Sequence, residues 1–501
     1  MDALVILIPL LPMLAATVIL GGLLFGILPS GKHETLSVDL ATWSLTLSSL
    51  MAIALLGGDL FGKNHGYFSI GQWLDSDSLV IRVNFTTSGF QVWLAALWAL
   101  LLAIICRFSI PNWQQTEGLH RFCGSLGLFA AGLLLLVLSA NMVGSLFGWL
   151  LAEVGGYLLI AQAYQNPQAT ENATRVLLTQ RIGNIGFLLG ISLCYAWTDS
   201  VNWAQLKASA PELSIGQATG ISLCFALAAF SKAAQLPFTP WLAKTLDEPA
   251  PVSLLMIHVG VFLIVSLEAL FMQSPFARAV LGLVGVATTI YCFIVGKTQT
   301  TQYRVWMYVA LAQVGLMFVE CALGFWILAS WHLGANVTVA CLQRLNVADA
   351  RVSSTPPQRL VGMRWYLLSL QQFWLEQITD WALVKPVRGL AQDLSYVDDR
   401  IIDQLIGLPS AGMLPIQEFV EESQPSMTMT IAKSSGLAGK LTEWLSALLH
   451  WFEERLVLRH NSKQTSVYLR QLGHTINRFE LLILRPRYLV LFVCITFLVA
   501  F

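Results

Sequence analysis

Lys232 stands at the end of the apolar run "GISLCFALAAF" and five residues ahead of Pro237. A lysine facing lipid at mid-bilayer costs roughly 2.5–3.5 kcal/mol on insertion scales. A proline inside a helix removes a hydrogen bond and breaks or kinks it. Apolar sequence continues past Lys232 to Leu242, so the ammonium cannot easily snorkel to a headgroup. The break at Pro237, with Pro240 behind it, frees backbone carbonyls that a cation or water can use. Two readings of Lys232 stay open. It is a proton-relay group, since intramembrane ionisable residues mark functional sites and burial readily changes the protonation of a lysine. Alternatively it is a neutral or snorkelling structural residue.

The elements that must hold such a lysine are legible in composition and periodicity. Of 501 residues, 56% are hydrophobic and 12% charged, against about 25% charged in soluble domains. The chain therefore reads as an all-α, polytopic integral membrane protein. Its formal net charge is zero, which gives no footing for nucleic acid. Runs near the ~20 apolar residues that a spanning helix needs fall at 3–28, 38–57, 88–107, 122–139, 142–164, 174–197, 216–237, 252–272, 276–296, 304–321 and 323–342. These make about eleven spans with the seventh helix broken. The first run exceeds a signal-peptide core and lacks a basic leader, so it reads as a retained span. Between the second and third, "GYFSIGQWLDSDSLVIRVNF" alternates around a D-S-D-S turn, as an extramembrane β-hairpin does. The bias of Lys and Arg among the loops points to an outside N-terminus. Gly155-Gly156 predicts close helix packing. The tryptophans near span ends suit an aromatic belt. The eight cysteines, scattered and without C-x-x-C, read as buried small hydrophobes.

The character changes at Leu345, where the chain is expected to leave the bundle. Three regions result: a transmembrane bundle over 1–345, a polar and amphipathic connector over 346–430, and a last region over 431–501. In that last region "GLAGKLTEWLSALLHWFEERLVL" repeats apolar positions at helical spacing. It predicts an amphipathic lateral helix along the membrane surface or partner subunits, followed by one C-terminal span. Asp398, Asp399 and Asp403, with Arg400 beside them, read as a solvated or partner-facing surface rather than a metal site. The sequence holds no nucleotide loop, haem motif or hydrolase triad, so no cofactor, metal or catalytic chemistry is assigned to it.

The stretch "SKAAQLPFTPWLAKTLDEPAPVSLLMIH" closely resembles the broken-helix signature of the antiporter-like membrane subunits of respiratory complex I and Mrp antiporters. Further matches follow in family order: "LSANMVGSLFGWLLAEVGGYLLIAQAY" for the fifth helix, "TRVLLTQRIGNIGF" for the sixth, and "YRVWMYVALAQVGLMF…SWHLGAN" for the tenth and eleventh. The tail "FWLEQITDWALVKPVRGLAQDLSYVDDRIIDQLIG" resembles the distal, largest subunit of an NADH-quinone oxidoreductase.

The resemblance implies a proton pathway through Lys232, Glu153, Arg181, His258 and His332, with the helix break at Pro237, and the departures decide how it is built. Where the family has Gly-Trp-Glu, this chain has Gly148-Trp149-Leu150, and Glu153 lies three positions on, facing a similar direction. Where the family has Arg-x-Gly-Asp, it has Arg181-Ile182-Gly183-Asn184. The eighth-helix histidine position is Ile257, with His258 turned about 100° around the helix. His332 is kept, whereas the histidine and lysine that follow it are Asn336 and Ala340. The family's second inverted repeat, with its own broken helix, is incomplete here, by roughly a hundred residues.

The implied function is a membrane-arm subunit of a complex I-type quinone oxidoreductase, either proton-translocating or a degenerate scaffold. Its partners would be other membrane subunits and the lipid of a bacterial inner membrane or an equivalent energy-coupling membrane. The alternative is the proton-conducting membrane partner of an energy-coupled inorganic-carbon uptake complex, working with a soluble carbonic-anhydrase-like subunit. A third reading is a purely structural relative that anchors an assembly through its amphipathic tail.

Overall fold

The computed structural model describes residues 2–26, 34–75, 80–113, 118–245, 250–299, 301–346 and 368–397. Helices occupy the eleven segments expected to span before residue 346: α1 (Leu4–Leu24), α2 (Glu34–Leu60), α3 (Phe90–Trp113), α4 (Leu119–Leu138), α5 (Met142–Ile160) and α6 (Pro167–Thr198). After a short α7 (Trp203–Ser209) come α8 (Ile215–Lys232), α9 (Val252–Ser266), α10 (Glu268–Met272), α11 (Pro275–Gly296), α12 (Gln302–Leu323) and α13 (Trp326–Asn346). Eight of these, α1 to α6 with α11 and α12, are long and apolar enough to cross a membrane. The segment expected as one span over 252–272 bends at Leu267 into α9 and α10.

Local chemistry explains the boundaries. Asn141 accepts a hydrogen bond from the Gly144 N–H and starts α5. Asn166 caps α6 with Pro167 in its first turn, seven residues before the expected start at 174. A proline there fits because the first helical N–H groups have no partner within the helix. Ser214 and Gln217 cap α8 reciprocally.

The expected hairpin forms from β1 (Tyr67–Asp75) and β2 (Val80–Thr86), paired antiparallel. It closes one end of the bundle. The Asn84 carbonyl accepts from the Ala140 N–H, and the Arg82 carbonyl accepts from the Asn141 side chain. We call this the hairpin end, where α4, α6, α9 and α12 finish and α5, α8, α11 and α13 begin. α4 is apolar on all faces and buried nearly all round, with α1, α2, α3 and α5 against it. Gly155 lets α5 approach it closely, since a Cβ there would sit 2.5 Å from the Phe129 amide nitrogen.

Past α13 the described chain resumes at 368 and is tied to the bundle. Arg175 of α6 binds Glu376 at 3.0 Å and Asp380 at 2.8 Å, and Lys244 also binds Glu376. Part of the segment expected to leave the bundle is thus held against it, because partly buried cations there recruit its acids. Residues up to Asp380 form one compact unit. Of the second, residues 381–397 are described and include the helix Lys385–Val397. The lateral helix and C-terminal span expected in 431–501, and Asp398, Asp399 and Asp403, lie outside the described residues.

Candidate functional site

α8 stops at Lys232. Ala234 then adopts a left-handed conformation (φ 51°), a cost for a non-glycine residue, and a 3-10 helix follows over Thr239–Lys244. Pro237 cannot donate a backbone hydrogen bond, so carbonyls of the last helical turn need other donors. The Phe230 carbonyl accepts from the Gln235 N–H, and the Ser231 carbonyl accepts from the Trp241 indole N–H at 2.9 Å. Thr288 of α11 accepts from the Leu236 N–H. The break is therefore a fixed structure. Gly260 brings α9 against it, where a Cβ would meet the Ala229 carbonyl oxygen at 2.5 Å.

Lys232 is 2% exposed and lies between α5 and α6. Its Nζ donates to Glu153 Oε2 at 3.2 Å and to Gln180 Oε1 at 3.1 Å, and sits 4.6 Å from the centre of the Trp149 ring. Glu153 is equally buried. Its second oxygen accepts from Asn184 Nδ2 at 3.2 Å and lies 3.6 Å from the Arg181 guanidinium. Asn184 in turn accepts from the Trp149 indole N–H at 2.8 Å. Two cations thus share one carboxylate, at mid-height of α5. Its 1.5 Å rise per residue puts Glu153 about 16 Å from one end and about 10 Å from the other.

Of the residues singled out in the sequence, Lys232, Glu153 and Arg181 come together around the break at Pro237, whereas His258 and His332 form a second group. His258 Nδ1 donates to the Leu254 carbonyl at 2.6 Å, so its Nε2 is the acceptor, taking the Asn336 side-chain N–H at 3.0 Å. That imidazole is neutral with both nitrogens engaged. His332 holds Glu320 at 2.8 Å and Gln313 at 2.9 Å. Sequence reasoning missed Gln180, Gln313 and Glu320, and it counted Asn184 as a lost acid rather than as the bridge between Trp149 and Glu153. One signal was available. Gln313 and Glu320 are seven residues apart, hence on one face of α12. Among the described residues no cluster of His, Cys, Asp and Glu has the makings of a metal site.

The sequence from 139 to 342 matches the family model described as NADH:quinone oxidoreductase/Mrp antiporter, TM. The chain is 34% identical over 238 residues to NADH-quinone oxidoreductase subunit L of Rhodobacter capsulatus, covering 44% of this chain and 33% of the relative. It is 28% identical over 340 residues to a probable inorganic carbon transporter subunit of Halothiobacillus neapolitanus, covering 66% and 58%. These matches span from a third to under three fifths of the relatives' lengths. In fold it resembles a chain of the Mrp complex from Dietzia sp. DQ12-45-1b, with a TM-score of 0.57 at 20% identity, over 67% of this chain and 36% of that one. With its eight long apolar helices the protein is a multi-pass integral membrane protein. Through residues 139–342 this chain is similar to the antiporter-like membrane subunits of NADH:quinone oxidoreductases and Mrp antiporters.

Proposed function

We propose that the protein is a membrane-arm, antiporter-like subunit of a complex I-type quinone oxidoreductase, and that it relays protons at Lys232. The reading rests on one observation above all, the buried Lys232–Glu153 pair at a helix break with Arg181 alongside. Burying charges costs several kcal/mol per ion, and a purely structural pair at this point would be better replaced by two apolar residues. A carboxylate between two cations is a switch. While Glu153 faces Lys232 the ammonium is held charged; when it turns to Arg181 the lysine loses its partner and releases its proton. Gln180 Nε2, Gln235 Oε1 and Thr239 Oγ1 are buried without a protein partner around the break, and such groups bind the waters a relay needs.

In this reading the chain crosses the membrane eleven times before residue 346, with α8, α9 and α13 joining the eight long apolar helices, and the tail docks other membrane subunits. The test is proton uptake into vesicles carrying the assembled complex, compared for the native chain and Lys232→Ala. Loss of uptake with subunit content unchanged on native gels is the expected result. Uptake equal to native would leave the scaffold reading.

A second reading is the proton-conducting partner of an inorganic-carbon uptake complex. It is suggested by the match to the Halothiobacillus relative, over 66% of this chain. Affinity purification discriminates. Co-purification with a soluble carbonic-anhydrase-like subunit supports this reading, and co-purification with quinone oxidoreductase subunits supports the first.

A further inference from the structure

The Lys232 group accounts for one part of a proton path and leaves a second polar group unexplained. Glu320 lies three residues from the end of α12, hence at the hairpin end, in a helix that is otherwise apolar beside it. Its Oε1 meets His332 Nδ1 at 2.8 Å, while its Oε2 is buried with no protein partner. The other ring nitrogen of His332 meets Gln313 Oε1 at 2.9 Å. With Nε2–H donated to that oxygen, the contact between Nδ1 and Glu320 must be bridged by one proton, carried by the ring or by the carboxyl.

Depth orders these groups. Gln313 is about 10 Å further from the hairpin end than Glu320, at 1.5 Å per residue, and His332 links the two. One turn along α13, Asn336 donates to His258 in the middle of α9. Polar groups therefore run from the hairpin edge toward mid-height, on α9, α12 and α13. At the edge an open groove of about 1,110 Å³ is lined by Glu268, Trp326 and Ser330, among others, and so brings solvent to the turn of α13 that precedes His332.

We propose that Glu320 is the hairpin-side proton carrier of this chain, exchanging its proton with His332 on one side and, through its buried Oε2, with water at the hairpin end on the other. The idea rests on the proton-conduction reading above. The imidazolium passes its Nδ1 proton to Glu320 Oε1, leaving a neutral ring with its remaining proton on Nε2 and a neutral carboxyl. The carboxyl gives that proton to water and returns to carboxylate, and a turn of the ring brings its free nitrogen inward to take the next proton before it turns back. The pair thereby supplies a terminal titratable group where the sequence continues into no second broken helix before the connector.

The test compares Glu320→Gln and Glu320→Asp with Lys232→Ala in the assembled complex in vesicles. We expect Glu320→Gln to lower proton uptake by at least about tenfold, as removal of a proton-transfer group does, and Glu320→Asp to restore part of it. In the native complex, a membrane-permeant carbodiimide, which reacts with carboxyl groups, should label Glu320, and His332→Asn should change that labelling several-fold. Unchanged uptake in both Glu320 variants with uptake lost in Lys232→Ala would overturn the role of Glu320 and leave the conduction reading standing. Unchanged uptake in all three would overturn both. If Glu320→Gln fails to assemble, absence of label at native Glu320 together with native uptake in Glu320→Asp overturns the proposal.

Discussion

Glu153 Oε2 and Lys232 Nζ meet at 3.2 Å across 79 positions of the chain, and each side chain is 2% exposed. Because neither charge can reach bulk water, each depends on the other. Lys232→Met or Glu153→Leu alone should cost about 3–5 kcal/mol, the penalty of stranding a buried charge. The double variant should lose much less than the sum. Thermal unfolding in detergent measures this, and additive losses would count against direct coupling.

Arg181 shares the same carboxylate but is 48% exposed in this chain. Its salt bridge should contribute under about 1 kcal/mol to stability, as exposed pairs do. Arg181→Gln is therefore expected to unfold close to the native temperature while slowing proton uptake several-fold, because Glu153 then has one cation to face. A large stability loss without a change in uptake would assign Arg181 to structure.

The segment 368–380 is held by charge. Arg175 reaches Glu171, Glu376 and Asp380, and Lys244 adds a contact to Glu376. Arg175→Ala should release the segment, at a cost of about 1–2 kcal/mol for a partly exposed network. Hydrogen exchange within 368–380 should rise while α4 stays protected. Unchanged exchange would show that apolar contacts, such as Tyr291 with Phe373, suffice.

Gly155→Val tests whether close packing of α4 and α5 sets the Glu153 position. The added atoms meet the Phe129 backbone, which cannot rotate away. A loss of about 1–3 kcal/mol is expected for overpacking, together with reduced uptake, since Glu153 lies two residues along the same helix. Native stability would mean that the two helices separate without strain.

Much of this arrangement follows from local pattern. Apolar runs set the helices and alternation set the hairpin, because hydrophobic periodicity is written within each segment. Pro237 and the polar lysine before it marked the break in the same way. Glu153 could be named because three residues on an α-helix turn to nearly the same side.

Tertiary structure decided everything that requires two helices to meet at a particular rotation and depth. Sequence spacing placed Glu153 on a face, but the packing of α6 against both α5 and α8 made it the partner of Lys232. Asn184, a missing acid in the sequence, proved to be the hinge of hydrogen bonds between Trp149 and Glu153. His258 was drawn to Asn336, 78 positions away, and Glu320 captured His332 across the turn between α12 and α13. Arg175 reached Glu376 and Asp380 more than 200 positions on. A helical pattern fixes which residues share a face, whereas the partner opposite that face depends on how the helices pack, and that is a property of the whole bundle.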